Sequence, residues 1–212
     1  MLERGRDPSP ETEDTPSVIL RAAERIFAEK GYTGARVAEI ADRVGMDKRL
    51  IFYYFGTKQG LYSKILEGFF QKAEPLLNEF LRKRGDGMGP VDLDRFLENM
   101  TDFIQKHRDP TKILFREFLD GGTLLETFVQ DRILPIFDLW RSYYPRLFQG
   151  ARGSPREADH MLLALSGMSL FYFLVEPLMR RVWGEDPLHT DRLAERKAAL
   201  KRLTEGMARS KE

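Results

Sequence analysis

From Ile19 to Met207 the apolar residues of this 212-residue chain return every three or four positions, and no stretch alternates apolar with polar. A period near 3.6 puts such residues on one side of an α-helix, whereas a half-buried strand requires a period of two. The chain is therefore restricted to an all-α fold before any single residue is considered. Ile19, Leu20, Ala23, Ile26 and Phe27 form the first stripe, behind Thr15 as the expected N-cap with Pro16 in the first turn and ahead of Gly31 as a stop. Val37, Ile40, Ala41 and Val44 form a second, shorter stripe ending at Gly45. Asp47 is placed to cap a third helix over Lys48–Tyr54, and Thr57 a fourth carrying Leu61, Ile65, Leu66, Phe69 and Phe70.

The run Gly85-Asp86-Gly87-Met88-Gly89-Pro90 interrupts the pattern and reads as a linker, since no strand precedes it as a phosphate loop would require. Helices resume at Pro90 and at Asp109-Pro110, the latter closed by Gly121-Gly122. A long segment from about Leu124 to Tyr144 contains Pro135 as an expected kink. Ser154-Pro155-Arg156-Glu157 spells a capping box that launches an apolar helix through Met161–Val175, and Leu193, Leu200, Leu203 and Met207 mark a last one. That apolar run is 15 residues long, short of the roughly 18 needed to cross a bilayer. With a charged, proline-bearing N-terminus and no cysteine, the expectation is a soluble cytoplasmic protein with no membrane partner.

Overall charge is nearly balanced, 34 Lys and Arg against 33 Asp and Glu, but its distribution is not. Residues 1–16 carry a net −3, residues 17–64 a net +4, and the rest sum to zero. A small basic block on a neutral body is the outline of a phosphate-binding module. Within that block, two short helices are joined by Gly45-Met46-Asp47. This is helix-turn-helix geometry, in which the second helix offers its N-terminal side chains to the major groove. Lys48 and Arg49 stand at that end, able to bond a guanine edge or a phosphate. Tyr53 and Tyr54 offer hydroxyls to phosphate and ring edges to a thymine methyl, or else pack in the core; Phe52 and Phe55 are assigned to packing.

At these residues the chain resembles the TetR family of bacterial one-component regulators. The resemblance is carried by Ile19–Leu66, above all by VAEIADRVGMDKRLIFYYFGTKQGLYSKIL, with Ile40-Ala41, Gly45, the aromatic pair before Phe55, Lys58 and Leu61. Where the family has a hydroxyl near the start of its second helix, this chain has Ala35 and Arg36, and its turn reads Gly45-Met46-Asp47 where Gly-Val-Ser is common. The resemblance implies a three-helix DNA-binding head over residues 15–62, after a disordered tail of residues 1–14, and a larger helical ligand-binding and dimerisation bundle over residues 63–212. It implies Lys58 as a phosphate contact and gives Arg36 the same role in place of the hydroxyl.

The same resemblance implies a homodimer through the two C-terminal helices, the first of them unusually apolar from Met161 to Met179, with Gly167 beside Ser166 and Ser169 permitting close approach. It also implies a small-molecule effector in the C-terminal bundle. Phe103, Phe115, Phe118, Trp140 and Phe171 are the candidate lining residues, and their character favours a largely apolar ligand. Arg116 and Glu117 interrupt an apolar face and are expected at the surface, with a polar ligand end as the alternative. Pro75 is expected to bend the fourth helix.

Enzymatic alternatives find no support in the sequence. His107, His160 and His189 lack metal-ligand spacing, there is no cysteine for thiol chemistry, and neither a nucleophile elbow nor a phosphate-binding loop occurs. The expectation is a DNA-binding regulator, most simply a repressor released from a palindromic operator, requiring no cofactor and no metal. A ligand-independent architectural DNA binder and a helical protein–protein adaptor are the competing readings.

Overall fold

The computed structural model of the chain describes residues 14–82, 90–122, 125–147 and 154–209, and among them every regular element is helical. The elements are α1 (Thr15–Gly34), α2 (Val37–Val44), α3 (Lys48–Phe55), α4 (Lys58–Arg82), α5 (Pro90–Lys106), α6 (Arg108–Asp120), α7 (Leu125–Phe128), α8 (Leu134–Leu147), α9 (Pro155–Leu174), α10 (Glu176–Trp183) and α11 (Thr190–Arg209). The expected linker at Gly85–Gly89 and the N-terminal tail up to residue 13 lie outside the described residues. Two compact units meet between Glu67 and Gly68, inside α4; the boundary expected at residues 62/63 falls in the same helix.

The first unit is built on α1. Ile19, Ala22, Ala23, Ile26 and Phe27 line its buried face, and Ile40, Ala41, Ile51, Leu61, Tyr62, Ile65 and Leu66 close over it. The Phe27 and Tyr32 rings each meet Tyr62 with centroids 5.0 Å apart. Two end signals behave differently from the sequence expectation. Thr15 is the first helical residue rather than the cap; Asp14 takes the cap position without a side-chain bond. Gly31 does break α1, at φ 70° and ψ 178°, but a further turn reaches Gly34 beyond it.

In the second unit α5 packs against α9 and α11, and α8 against α9. Leu93, Leu97, Trp140, Tyr144, Ala158, Leu165 and Leu200 are the buried centre of this packing. Ile104, Phe173, Leu188 and Leu193 make a second cluster near the α5–α6 corner. Polar clamps tie the same helices: the Thr204 hydroxyl donates to the buried Asp94 carboxylate, and Arg141 grips Asp159 through two bonds of 2.7 and 2.8 Å. The capping box at α9 is half-formed. Ser154 Oγ accepts from Glu157 N at 3.3 Å, while the Glu157 carboxylate accepts from Tyr144 Oη on α8 at 3.0 Å.

Two prolines shape the second unit. Before Pro135 the helix widens into a π-turn, Val129–Ile133, with Leu134 N–H reaching back to the Val129 carbonyl. A proline cannot fill an i→i−4 bond and its ring crowds the carbonyl four residues back, so a locally wider turn accommodates it. Pro177 acts likewise at the end of the apolar run: α9 stops at Leu174, and α10 departs at 61°. No single described helix is long and apolar enough to cross a membrane. Glu117 departs from the sequence expectation: it is buried, its carboxylate lying where a Cβ on Gly122 would stand.

Candidate nucleic-acid interface

The turn that separates α2 from α3 follows from two residues. Gly45 adopts the left-handed conformation, φ 66° and ψ 32°, which ends α2 and costs an L-residue about 1–2 kcal/mol. Met46 N–H returns to the Ala41 carbonyl at 3.0 Å, and Asp47 then starts α3 by accepting from Arg49 N–H at 2.8 Å. On its other side α2 is held to α1 by Ile40 and Ala41 in the core and by a 2.6 Å ion pair between Lys30 and Glu39. That pair neutralises one of the few carboxylates on this part of the surface.

The eight residues of α3 bury only one side chain, Ile51. A helix of two turns has little stability of its own, so α3 is anchored by Ile51 and by its caps while the rest of its surface stays available. Lys48 and Arg49 are exposed at its first turn. Tyr53 is 80% exposed and Tyr54 43%, their rings 5.2 Å apart edge to face. Phe52, expected to pack, is instead 41% exposed, because the single turn that meets the core has room for Ile51 alone. Arg36 is exposed at the cap position of α2. Among the described residues none of Arg36, Lys48 and Arg49 has an ion-pair partner, so three cations of this unit keep their charge free.

Lys58 opens α4. Its ammonium lies 4.6 Å from the centroid of the Tyr32 ring, a cation–π contact that fixes where the charge stands. Partial burial pushes its pKa below the ordinary lysine value. The approach of α3 to α4 depends on a residue that sequence reasoning passed over. A Cβ on Gly60 would stand 2.2 Å from the Phe55 carbonyl oxygen, so only glycine allows this contact. Gly60 N–H also donates to Thr57 Oγ1 at 2.9 Å, the expected cap of α4. A glycine inside the first turn of a helix, where alanine would favour the helix, was the available signal.

Residues 19–65 match the family model of bacterial regulatory proteins, tetR family. Over these residues the chain is similar to the TetR family. It is 35% identical over 108 residues to the HTH-type transcriptional repressor NicS of Pseudomonas putida, covering 49% of this chain and 48% of that one, so the match spans about half of that relative's length. It is 28% identical over 182 residues to the HTH-type transcriptional repressor Rv3405c of Mycobacterium tuberculosis, covering 85% and 84%. The fold is similar to that of SCO4942 from Streptomyces coelicolor, with a TM-score of 0.66 at 22% identity over 92% of this chain and 98% of that one.

In the second unit the five residues nominated as ligand contacts stand in different settings. Trp140 is buried in the α5–α8–α9 centre, its indole N–H donating to the Ala158 carbonyl at 2.7 Å. Phe103 is half-buried against Phe69 and His107, at centroid distances of 5.3 and 4.6 Å. Phe115 is half-buried on α6, while Phe118 and Phe171 face outward, 40% and 63% exposed. A recess that is present in the second unit has other walls: Ile104, Arg108, Thr111, Lys112, Phe173 and Leu174. Two of those are basic, a feature that apolar periodicity could not disclose.

Proposed function

We propose that this chain is a homodimeric, sequence-specific DNA-binding transcriptional regulator: a repressor that leaves a palindromic operator when a largely apolar small molecule binds the second unit. The observation that carries the reading is α3, a helix that hides one residue and presents Lys48, Arg49, Tyr53 and Tyr54 with both cations unpaired among the described residues. In the major groove Arg49 suits the O6 and N7 acceptors of guanine, and Lys48 a base edge or phosphate. Arg36 and Lys58 hold phosphates on either side, fixing the register without reading sequence. Operator binding places the protein with the chromosome, in the cytoplasm.

One two-turn helix makes too few base contacts for useful discrimination, so the reading needs two copies about one DNA turn, ~34–36 Å, apart. Of the two C-terminal helices expected to join them, the first is divided into α9 and α10, and the outer surface of these two is suited to the contact. Leu163, Gly167 and Phe171 follow one another at helical spacing on α9, and Leu178 and Val182 continue the series on α10, all exposed. No atom lies within 4 Å of a Cβ built on Gly167, so a second helix can approach there. Repression is the sign of regulation that similarity to the repressors NicS and Rv3405c supports. Selection of bound duplexes from a random pool, across a salt series, tests the reading. An enriched palindrome with half-sites one turn apart is expected; recovery of no motif, with binding that vanishes at moderate salt, refutes it.

A further inference from the structure

Asp47 is a negative charge set among the cations that the proposed function assigns to DNA. It directly precedes Lys48 and Arg49, is exposed, and is held in place by the 2.8 Å bond from Arg49 N–H to Oδ1. Its second oxygen, Oδ2, has no hydrogen-bond or ion-pair partner among the described residues. Serine and asparagine cap a helix about as well as aspartate, and the positive end of the helix dipole favours the charge by only a small margin at an exposed site. At the N-terminal end of α3, the end that faces base edges in a helix-turn-helix complex, a carboxylate opposes every phosphate near it.

A carboxylate only accepts hydrogen bonds. In the major groove cytosine offers its N4 amino group as a donor, guanine shows O6 and N7 acceptors, and thymine shows O4 and a methyl. Adenine pairs a donor with an adjacent acceptor, a pattern that suits an amide. Specificity is a difference of affinities, and a group that weakens binding to all wrong sequences raises it as surely as one that strengthens the right one.

We propose that Asp47 is a specificity-determining residue: its free carboxylate oxygen accepts from a cytosine amino group in each half-site, and its charge lowers affinity for duplexes that present no donor there. This rests on the DNA-reading function proposed above. The test compares the full-length wild type, Asp47→Asn and Asp47→Ala by selection from a random duplex pool and by titration with a random duplex. Asparagine keeps the cap but loses the charge, so Asp47→Asn is expected to melt like the wild type. Its selected motif should lose cytosine preference at one position per half-site, by roughly five- to hundredfold, with the other positions intact, and it should bind random duplex more tightly. Asp47→Ala should show the same relaxation together with a lower Tm, which separates reading from capping. An Asp47→Asn protein with an unchanged motif and unchanged random-duplex affinity would overturn the assignment and leave Asp47 a cap alone. A wild type that selects no motif would overturn the DNA-reading function and this inference together.

Discussion

The Lys58 ammonium and the Tyr32 ring face each other at 4.6 Å, joining the first turn of α4 to the end of α1. The ring gives the cation a fixed position where the carboxylates of the unit do not reach it. If Lys58 meets a phosphate, Lys58→Ala should weaken operator and random duplex alike and lower the magnitude of the salt slope by about 0.9 for each head, without altering the selected motif. Tyr32→Leu, which leaves the charge but removes the ring face, should cost less affinity and leave the slope in place. Duplex binding at four salt concentrations measures both. A Lys58→Ala slope equal to the wild-type slope would remove Lys58 from the interface.

Gly60 and the Phe55 carbonyl make a second close relationship, and it concerns geometry rather than charge. Gly60→Ala introduces a methyl carbon 2.2 Å from that oxygen, and backbone cannot rotate away as a side chain would. Overpacking of this kind costs about 1–3 kcal/mol, several degrees of Tm for a chain of this size. Because the displaced segment is the end of α3, operator affinity should fall as well. Gly45→Ala is the control: its Cβ meets nothing within 4 Å, so its penalty is confined to the left-handed backbone. Equal melting temperatures for Gly60→Ala and the wild type would count against the contact.

These two glycines show where the sequence was legible. Gly45, Asp47 and Thr57 each act inside a single turn or cap, and local chemistry of that kind is written in the order of residues. The three-helix head therefore emerged from the chain itself. Gly60 acts on a carbonyl in another helix, and Phe52 is exposed because α3 touches the core along one turn; both depend on how helices meet. The second unit was harder for the same reason. Apolar spacing identifies the inner face of α8 but does not say whether Trp140 faces a ligand or, as found, the carbonyl of Ala158.

For Trp140 the consequence is a stability effect. Trp140→Ala removes a large side chain from the α5–α8–α9 centre and should cost about 3–5 kcal/mol, while Trp140→Phe keeps most of the volume but gives up the bond to Ala158. Thermal unfolding should rank wild type, Trp140→Phe and Trp140→Ala in descending order. If instead Trp140→Phe matched the wild type in Tm and changed only the response to apolar effectors, Trp140 would act on the ligand rather than on stability.

The exposed series on α9 predicts the effect of charge at the proposed dimer surface. Leu163→Glu and Phe171→Glu replace side chains that are 57% and 63% exposed in the single chain, so neither should disturb the fold of one copy. Across a two-fold interface each change places like carboxylates on both partners and buries them. Sedimentation should report a dimer for the wild type and a monomer for the double variant, with helical circular dichroism retained and operator binding lost. A double variant that remained dimeric would move the interface elsewhere.

His107 gives the second unit a pH dependence of defined sign. It stands between α5 and α6, its backbone N–H bonded to the Phe103 carbonyl at 2.9 Å and its ring against that of Phe103. Burial, then the ammoniums of Lys72 on α4 and Lys106 on α5, hold its pKa below the ordinary 6.5. The folded chain thus takes up this proton less readily than the unfolded chain. The stability tied to the neutral ring is complete above about pH 6.5 and is lost as pH falls through the depressed folded value. His107→Gln is neutral throughout. Between pH 8 and pH 5, wild-type Tm should therefore fall further than that of His107→Gln, and Lys72→Ala should narrow the gap by removing one of the opposing charges. Parallel Tm curves for the wild type and His107→Gln would show that the imidazole does not titrate against this environment.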